Sequence, residues 1–142
     1  MDIFRTLDIS ASGLSGQRAR MDAITDNLAN SDTVVTANGG PYRRKVVVLK
    51  SADDASFQTL LQRGGAPGGV KVAGVVEMPD APRRAYLPGH PHADADGFVS
   101  FPNVSPLVEM VDMMATTRAY EANATAFQAT KTMATKLLEL LR

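Results

Sequence analysis

The chain has 142 residues, and its fifteen Lys and Arg balance fifteen Asp and Glu, for a formal net charge of zero. One domain fits that length, and the balance speaks against a nucleic-acid binder, which carries a basic excess to meet phosphates. With 44% hydrophobic residues there is material for a core, and with no cysteine, disulfides, thiolate metal sites and cysteine nucleophiles are excluded.

Residues 1–17 carry Asp2, Arg5 and Asp8 instead of the basic start and roughly 7–15-residue apolar run of a signal peptide. The expectation is a chain that stays in the cytoplasm or leaves by a route that does not read such a signal. The same segment opens an amphipathic pattern. Leu7, Leu14, Met21 and Leu28 recur every seven residues, with Ile3, Phe4, Ala11 and Ile24 between them. That period, near 3.5, predicts a helix holding one edge against a partner. Gln17 and Arg18 interrupt the seam and Gly13 and Gly16 are expected to weaken it. Asn30, Ser31 and Asp32 supply stop signals.

The middle changes character. Nine of the 11 Gly and seven of the eight Pro lie between Ser31 and Pro102. These residues punctuate turns and break helices. Strands are predicted at 42–49, 70–78, 85–87 and 98–101, on β-branched runs such as Val46-Val47-Val48 and Val75-Val76. Residues 51–62 could hold a short helix through Phe57, Leu60 and Leu61. Arg63-Gly64-Gly65-Ala66-Pro67-Gly68-Gly69 reads as a flexible loop.

From Leu107 onward there is neither Gly nor Pro. Ser105-Pro106 gives a helix start, a hydroxyl followed by proline where its missing N–H is harmless. Steps of three and four then pick out Met110, Met113, Thr117, Tyr120, Ala124, Phe127, Lys131, Ala134, Leu138 and Leu141. Glu109 and Asp112 near the start suit the helix dipole, as do Lys136 and Arg142 near the end. This helix would run about 54 Å and the first about 40 Å. Arg118, Glu121 and Lys131 break up the apolar stretches, so no membrane span is expected.

The expected division is 1–30, an N-terminal helix; 31–104, a β-rich middle with a flexible 51–69 loop; and 105–142, a C-terminal helix pairing with 1–30. The fold class is mainly α with a small β-rich middle. The periodicity allows two arrangements: a terminal coiled coil from which the β-rich segment projects, or a compact helical bundle. Neither helical stripe can be covered entirely by so small a body, so the stripes are expected to meet each other, other chains, or both.

Chemistry finds few footholds. In extended chain His90, His92, Asp94 and Asp96 share a face that could hold a metal. The competing reading is a polar turn closed by Gly97, with Asp side chains capping backbone N–H groups. An EF-hand is rejected: the twelfth position is Asn103, and Pro88 and Pro91 forbid the preceding helix. No Gly-x-Ser-x-Gly or phosphate loop is present, and no catalytic residue or cofactor is assigned. Arg43-Arg44-Lys45 reads as a charged sheet edge or as a docking patch for a neighbour's acidic groups. Asn27, Asn30 and Asn123 read as surface polarity, capping, or amides that fix register between helices.

Four segments together resemble the bacterial flagellar rod and hook proteins: 17–30 (QRARMDAITDNLAN), 39–45 (GGPYRRK), 89–104 (GHPHADADGFVSFPNV) and 109–123 (EMVDMMATTRAYEAN). Asn27 and Asn30 belong to the Asn-Leu-Ala-Asn motif of the wider family. Gly40, Pro41, Tyr42, Arg43 and Arg44, with Gly89, His90, Asp96, Gly97 and Asn103, resemble its proximal rod members. Arg118, Tyr120, Glu121 and Asn123 complete the set. His92 departs from the family, which more often has an acidic residue there.

The resemblance implies a structural subunit, not an enzyme, with no cofactor, no nucleic acid and no membrane insertion. It implies export through the flagellar type III apparatus without a cleaved signal. Copies of the chain and other rod subunits would stack helically, next to the MS-ring and rod adaptor proteins, into a hollow torque-transmitting shaft crossing the periplasm. The terminal helices would form its inner coiled-coil layer and be loose before assembly. Leu7, Leu14, Met21, Leu28, Met113, Tyr120, Phe127, Ala134, Leu138 and Leu141 would then be seam positions. The alternatives are another axial component of the rod and hook family and, from other classes, a small metal-binding protein using the 90–96 segment or a cytoplasmic helical adaptor.

Overall fold

The computed structural model describes residues 3–37, 39–52 and 68–140. The short helix expected within 51–62 and most of the flexible loop lie outside the described residues, as does Leu141. Among the described residues two long helices flank two small β-hairpins.

Helix α1 spans Ile3–Ala29. Its last turn is closed by Asn30, whose amide Nδ2 and backbone N–H both donate to the Asp26 carbonyl, at 2.9 and 3.1 Å. A tight turn follows, in which Gly39 and Gly40 adopt φ of 77° and 83°, left-handed values that side chains resist. The chain reverses there, and the Tyr42 N–H reaches the Thr33 carbonyl at 3.1 Å.

Strands β1 (Lys45–Ser51) and β2 (Val70–Glu77) form an antiparallel hairpin running from Lys45↔Glu77 to Ser51↔Val70, with a register shift between Val48 and Leu49. The β1 strand begins later than the sequence pattern suggests: Tyr42 is held by Thr33 and Asn27, and Arg44 adds only its carbonyl to the ladder, accepting from the Met78 N–H at 2.8 Å. This hairpin lies on α1. Gly16 is where they meet: a methyl there would make ordinary contact with Leu49 at 3.5 Å and Val70 at 3.8 Å. Ser12 pins the start of β2, its Oγ accepting from the Val70 N–H at 3.0 Å and donating to the Ile9 carbonyl at 2.7 Å.

Strands β3 (Arg83–Tyr86) and β4 (Phe98–Phe101) make the second antiparallel hairpin, Arg83↔Phe101 to Tyr86↔Phe98. Among the described residues its backbone makes no close approach to either helix or to the first hairpin.

Helix α2 spans Pro106–Leu140 and packs antiparallel along α1. Three points set the register: Asn27 meets Glu109, Met21 meets Thr117 and Gly13 meets Asn123. At about 1.5 Å per residue in both helices, Ile3 lies level with roughly Met133, so the last two turns of α2 run past the first described residue of α1.

Most of the shielded residues of α2 step by seven in two lines, Glu109, Thr116, Asn123 and Thr130, and Met113, Tyr120, Phe127 and Ala134; Asp112, Ala119 and Ala124 are half-buried beside them. The first line is polar. Its threonines are satisfied within their own helix, Thr116 Oγ1 donating to the Asp112 carbonyl at 2.7 Å and Thr130 Oγ1 to the Ala126 carbonyl at 2.9 Å. Gly13 and Gly16 are where Asn123 and the first hairpin come close. Leu7, Leu14, Met21 and Leu28 are only half-buried, while Gly16, Ala23, Ile24 and Asn27 are buried. Of the expected line on α2, Met110, Thr117, Lys131 and Leu138 are exposed in the single chain, Leu138 to 70% and beyond the level of Ile3.

Candidate functional site: a polar clasp between the helices

The most completely bonded side chains in the molecule meet where α1 ends, β1 begins and α2 starts. Asn27, 1% exposed, engages both halves of its amide. Its Nδ2 donates to the Lys45 carbonyl at 2.9 Å and to Glu109 Oε2 at 3.1 Å. Its Oδ1 accepts from the Tyr42 hydroxyl at 2.9 Å and the Lys45 N–H at 2.8 Å. Asn27 therefore substitutes for a strand partner of β1 and holds α2 with the same amide.

Glu109 is also 1% exposed. A buried carboxylate is costly unless paired and hydrogen-bonded. Arg44 Nε meets its Oε1 at 2.7 Å, and Arg44 Nη2 reaches Asp112 Oδ2 at 3.3 Å. Lys45 Nζ bridges to Asp26 Oδ2 at 2.9 Å and lies 5.8 Å from the centre of the Tyr42 ring. Burial pushes the Tyr42 phenol above its usual range, and the Asp26 hydrogen bond raises Lys45. The carboxylates are matched by cations and no open reactive group is presented. The arrangement can fasten three elements; it offers no chemistry.

The clasp absorbs much of the residue set singled out from sequence. Asn27, Tyr42 and Arg44 come together in it, after the turn at Gly40 and half-buried Pro41. Arg43 is exposed, but Arg44 and Lys45 bind acidic groups of their own chain, so the basic triplet is neither a plain sheet edge nor free as a whole to meet a neighbour. Asn30 is a helix cap, its Oδ1 accepting from Thr33 Oγ1 at 3.1 Å. Asn123 stands at the α1 crossing, Tyr120 is half-buried beside it, and Arg118 and Glu121 face outward. Glu109 is the residue that sequence reasoning missed; its place in the first helical turn gave it a sufficient role already.

The segment around His90 and Asp96 forms a turn. Asp94 Oδ1 accepts from the Phe98 and Asp96 N–H groups at 2.8 and 3.1 Å, and its other oxygen is held by Arg84. Gly97 closes the turn at φ 80°. His90 and His92 lie side by side, ring centres 5.7 Å apart. Gly89, Asp96 and Asn103 are exposed. Asp94 thus caps backbone groups, and among the described residues no three His, Asp or Glu are grouped to share a metal. No helix among them is long and apolar enough to cross a membrane.

Comparisons with known proteins cover the whole chain. Two family models match: one described as flagella basal body rod protein, over residues 7–34, and one described as flagellar basal body rod FlgEFG protein C-terminal, over residues 95–140. These bracket the two helices and both sides of the clasp. Flagellar basal-body rod protein FlgC of Bacillus subtilis is 46% identical over 149 aligned positions, covering 99% of each chain. Its namesake in Escherichia coli is 41% identical over 140, covering 99% of this chain and 98% of the relative. That of Borreliella burgdorferi is 34% identical over 151, covering 100% and 99%. With end-to-end identity at this level and rod-family models over both helical ends, the chain belongs to the FlgC family, structural and non-enzymatic subunits of the bacterial flagellar basal-body rod.

Proposed function

We propose that the chain works in the proximal part of the rod, packed helically with copies of itself and other rod subunits into a hollow shaft that transmits torque. α1 and α2 act as a coiled-coil pair in its inner layer and the hairpins face neighbours outside it. The heptad spacing along α2 supports the pairing, and the second hairpin, whose strands make no close backbone approach to the helices, is suited to reach a neighbour. The chain leaves the cytoplasm through the flagellar type III apparatus without a cleaved signal and meets the MS-ring and rod adaptor proteins.

One observation carries this reading. Leu107, Val108, Met110, Val111 and Met114 near the start of α2, and Met133, Leu137, Leu138 and Leu140 near its end, are exposed. Apolar surface on this scale, running along α2 and continued by Val48, Val72, Val75 and Val76 on the first hairpin, supports a protein–protein interaction role. Leu138 tests it. Because the side chain is exposed, Leu138→Asp leaves the helical circular dichroism of the free chain unchanged, but a carboxylate at a covered seam abolishes rod assembly and swimming. A swimming Leu138→Asp strain would refute the seam assignment.

A further inference from the structure

Among the described residues nothing covers a stripe at the end of α2. Met133, Lys136, Leu137 and Leu140 fall at positions i, i+3, i+4 and i+7, one face of a helix, and all four are exposed. Elsewhere α1 and β2 border an open groove of about 370 Å³ lined by Ala19, Asp22, Ala23, Asp26, Lys45, Val75 and Glu77. Here too the α1 residues fall at i, i+3, i+4 and i+7. Ala19 and Ala23 give a shallow floor, and Val75 is an exposed apolar wall. Lys45 is taken by Asp26. Among the described residues Asp22 and Glu77 have no ion pair.

We propose that the groove between α1 and β2 receives the C-terminal stripe of α2 from a second copy of the chain. Size and charge match. The large apolar residues of one stripe meet the alanines of the other, which lets helix axes approach within about 8–10 Å. Lys136, flanked by apolar residues, enters a rim of predominantly acidic groups. The stripe cannot reach its own groove: Asp22 lies level with about residue 114 of α2, roughly 30 Å along the helix from Lys136. The contact is therefore head to tail, and a contact of that kind repeats into a helical polymer instead of closing as a pair. The patch is far smaller than the roughly 20–30 residues a side of a stable pairwise interface. Isolated copies stay apart, and the contact counts only when multiplied along an assembly.

The inference rests on the rod reading above, and a charge swap separates the two. Lys136→Glu and Asp22→Lys are each expected to lower the amount of chain recovered in purified basal bodies about tenfold, since like charges then face each other. Combined in one chain, they restore it. A double variant no better than either single one, or single variants that incorporate normally, would overturn the contact while leaving the rod reading intact. Absence of the unmodified chain from basal bodies would overturn the rod reading itself. The cysteine-free background permits a second measurement. Asp22→Cys with Lys136→Cys gives chain-to-chain disulfides on oxidation of assembled rods, because the same pair within one chain is far beyond the roughly 4–7 Å Cα separation of a disulfide. Incorporated chains that form no covalent dimers, or that link only to a different subunit, would end the assignment to a second copy.

Discussion

Asn27, on α1, bonds both β1 and α2. Asn27→Ala removes four hydrogen bonds and leaves the Lys45 peptide group and Glu109 Oε2 short of partners in buried surroundings. The expected loss is about 2–4 kcal/mol, read in urea as a lower midpoint at unchanged slope. An unchanged midpoint would mean that water replaces the amide without cost. The role of Asn27 is legible in the sequence: a poor helix former late in an amphipathic run, with an amide able to fix register. That of Glu109 is not. Nothing in residue order shows that a first-turn carboxylate turns inward to an arginine 65 positions away.

At the scale of elements, the strands were readable from β-branched runs and the α2 start from Ser105-Pro106, because those signals are local. The helix-facing line of α2 was not. Thr116 and Thr130 score as polar, yet their hydroxyls bond their own helix and leave the methyls for packing. The β3–β4 hairpin has its own determinant. The Asp94 carboxyl is held below its ordinary value by the Phe98 N–H first, with Arg84 and the Asp96 N–H adding to it. A depressed carboxyl stabilises the fold above its ordinary value of 3.8 and withdraws as the pH falls through the lower folded value. The amide resonances of Asp96 and Phe98 are therefore expected to hold steady on acidification and move only below about pH 4. A transition centred higher would show that Asp94 does not cap the turn.

For the whole molecule the clasp sets an alkaline limit. Tyr42 and Lys45 both titrate above their ordinary 10.0 and 10.5 in the folded chain. Their contributions are complete below about pH 10 and disappear as the pH rises through the raised values. The thermal midpoint is expected to fall more steeply above about pH 10 in the native chain than in Tyr42→Phe; equal slopes would remove the phenol from the account. The Asn27–Glu109 bond has a kinetic side as well, since it joins residues 82 apart in sequence. Closing so long a loop costs roughly 4 kcal/mol of chain entropy, while a helix forms locally within about a microsecond. Refolding from urea thus separates in time, with far-ultraviolet ellipticity returning early and the tyrosine environment late. Each molecule passes through an interval in which it is already helical and not yet joined.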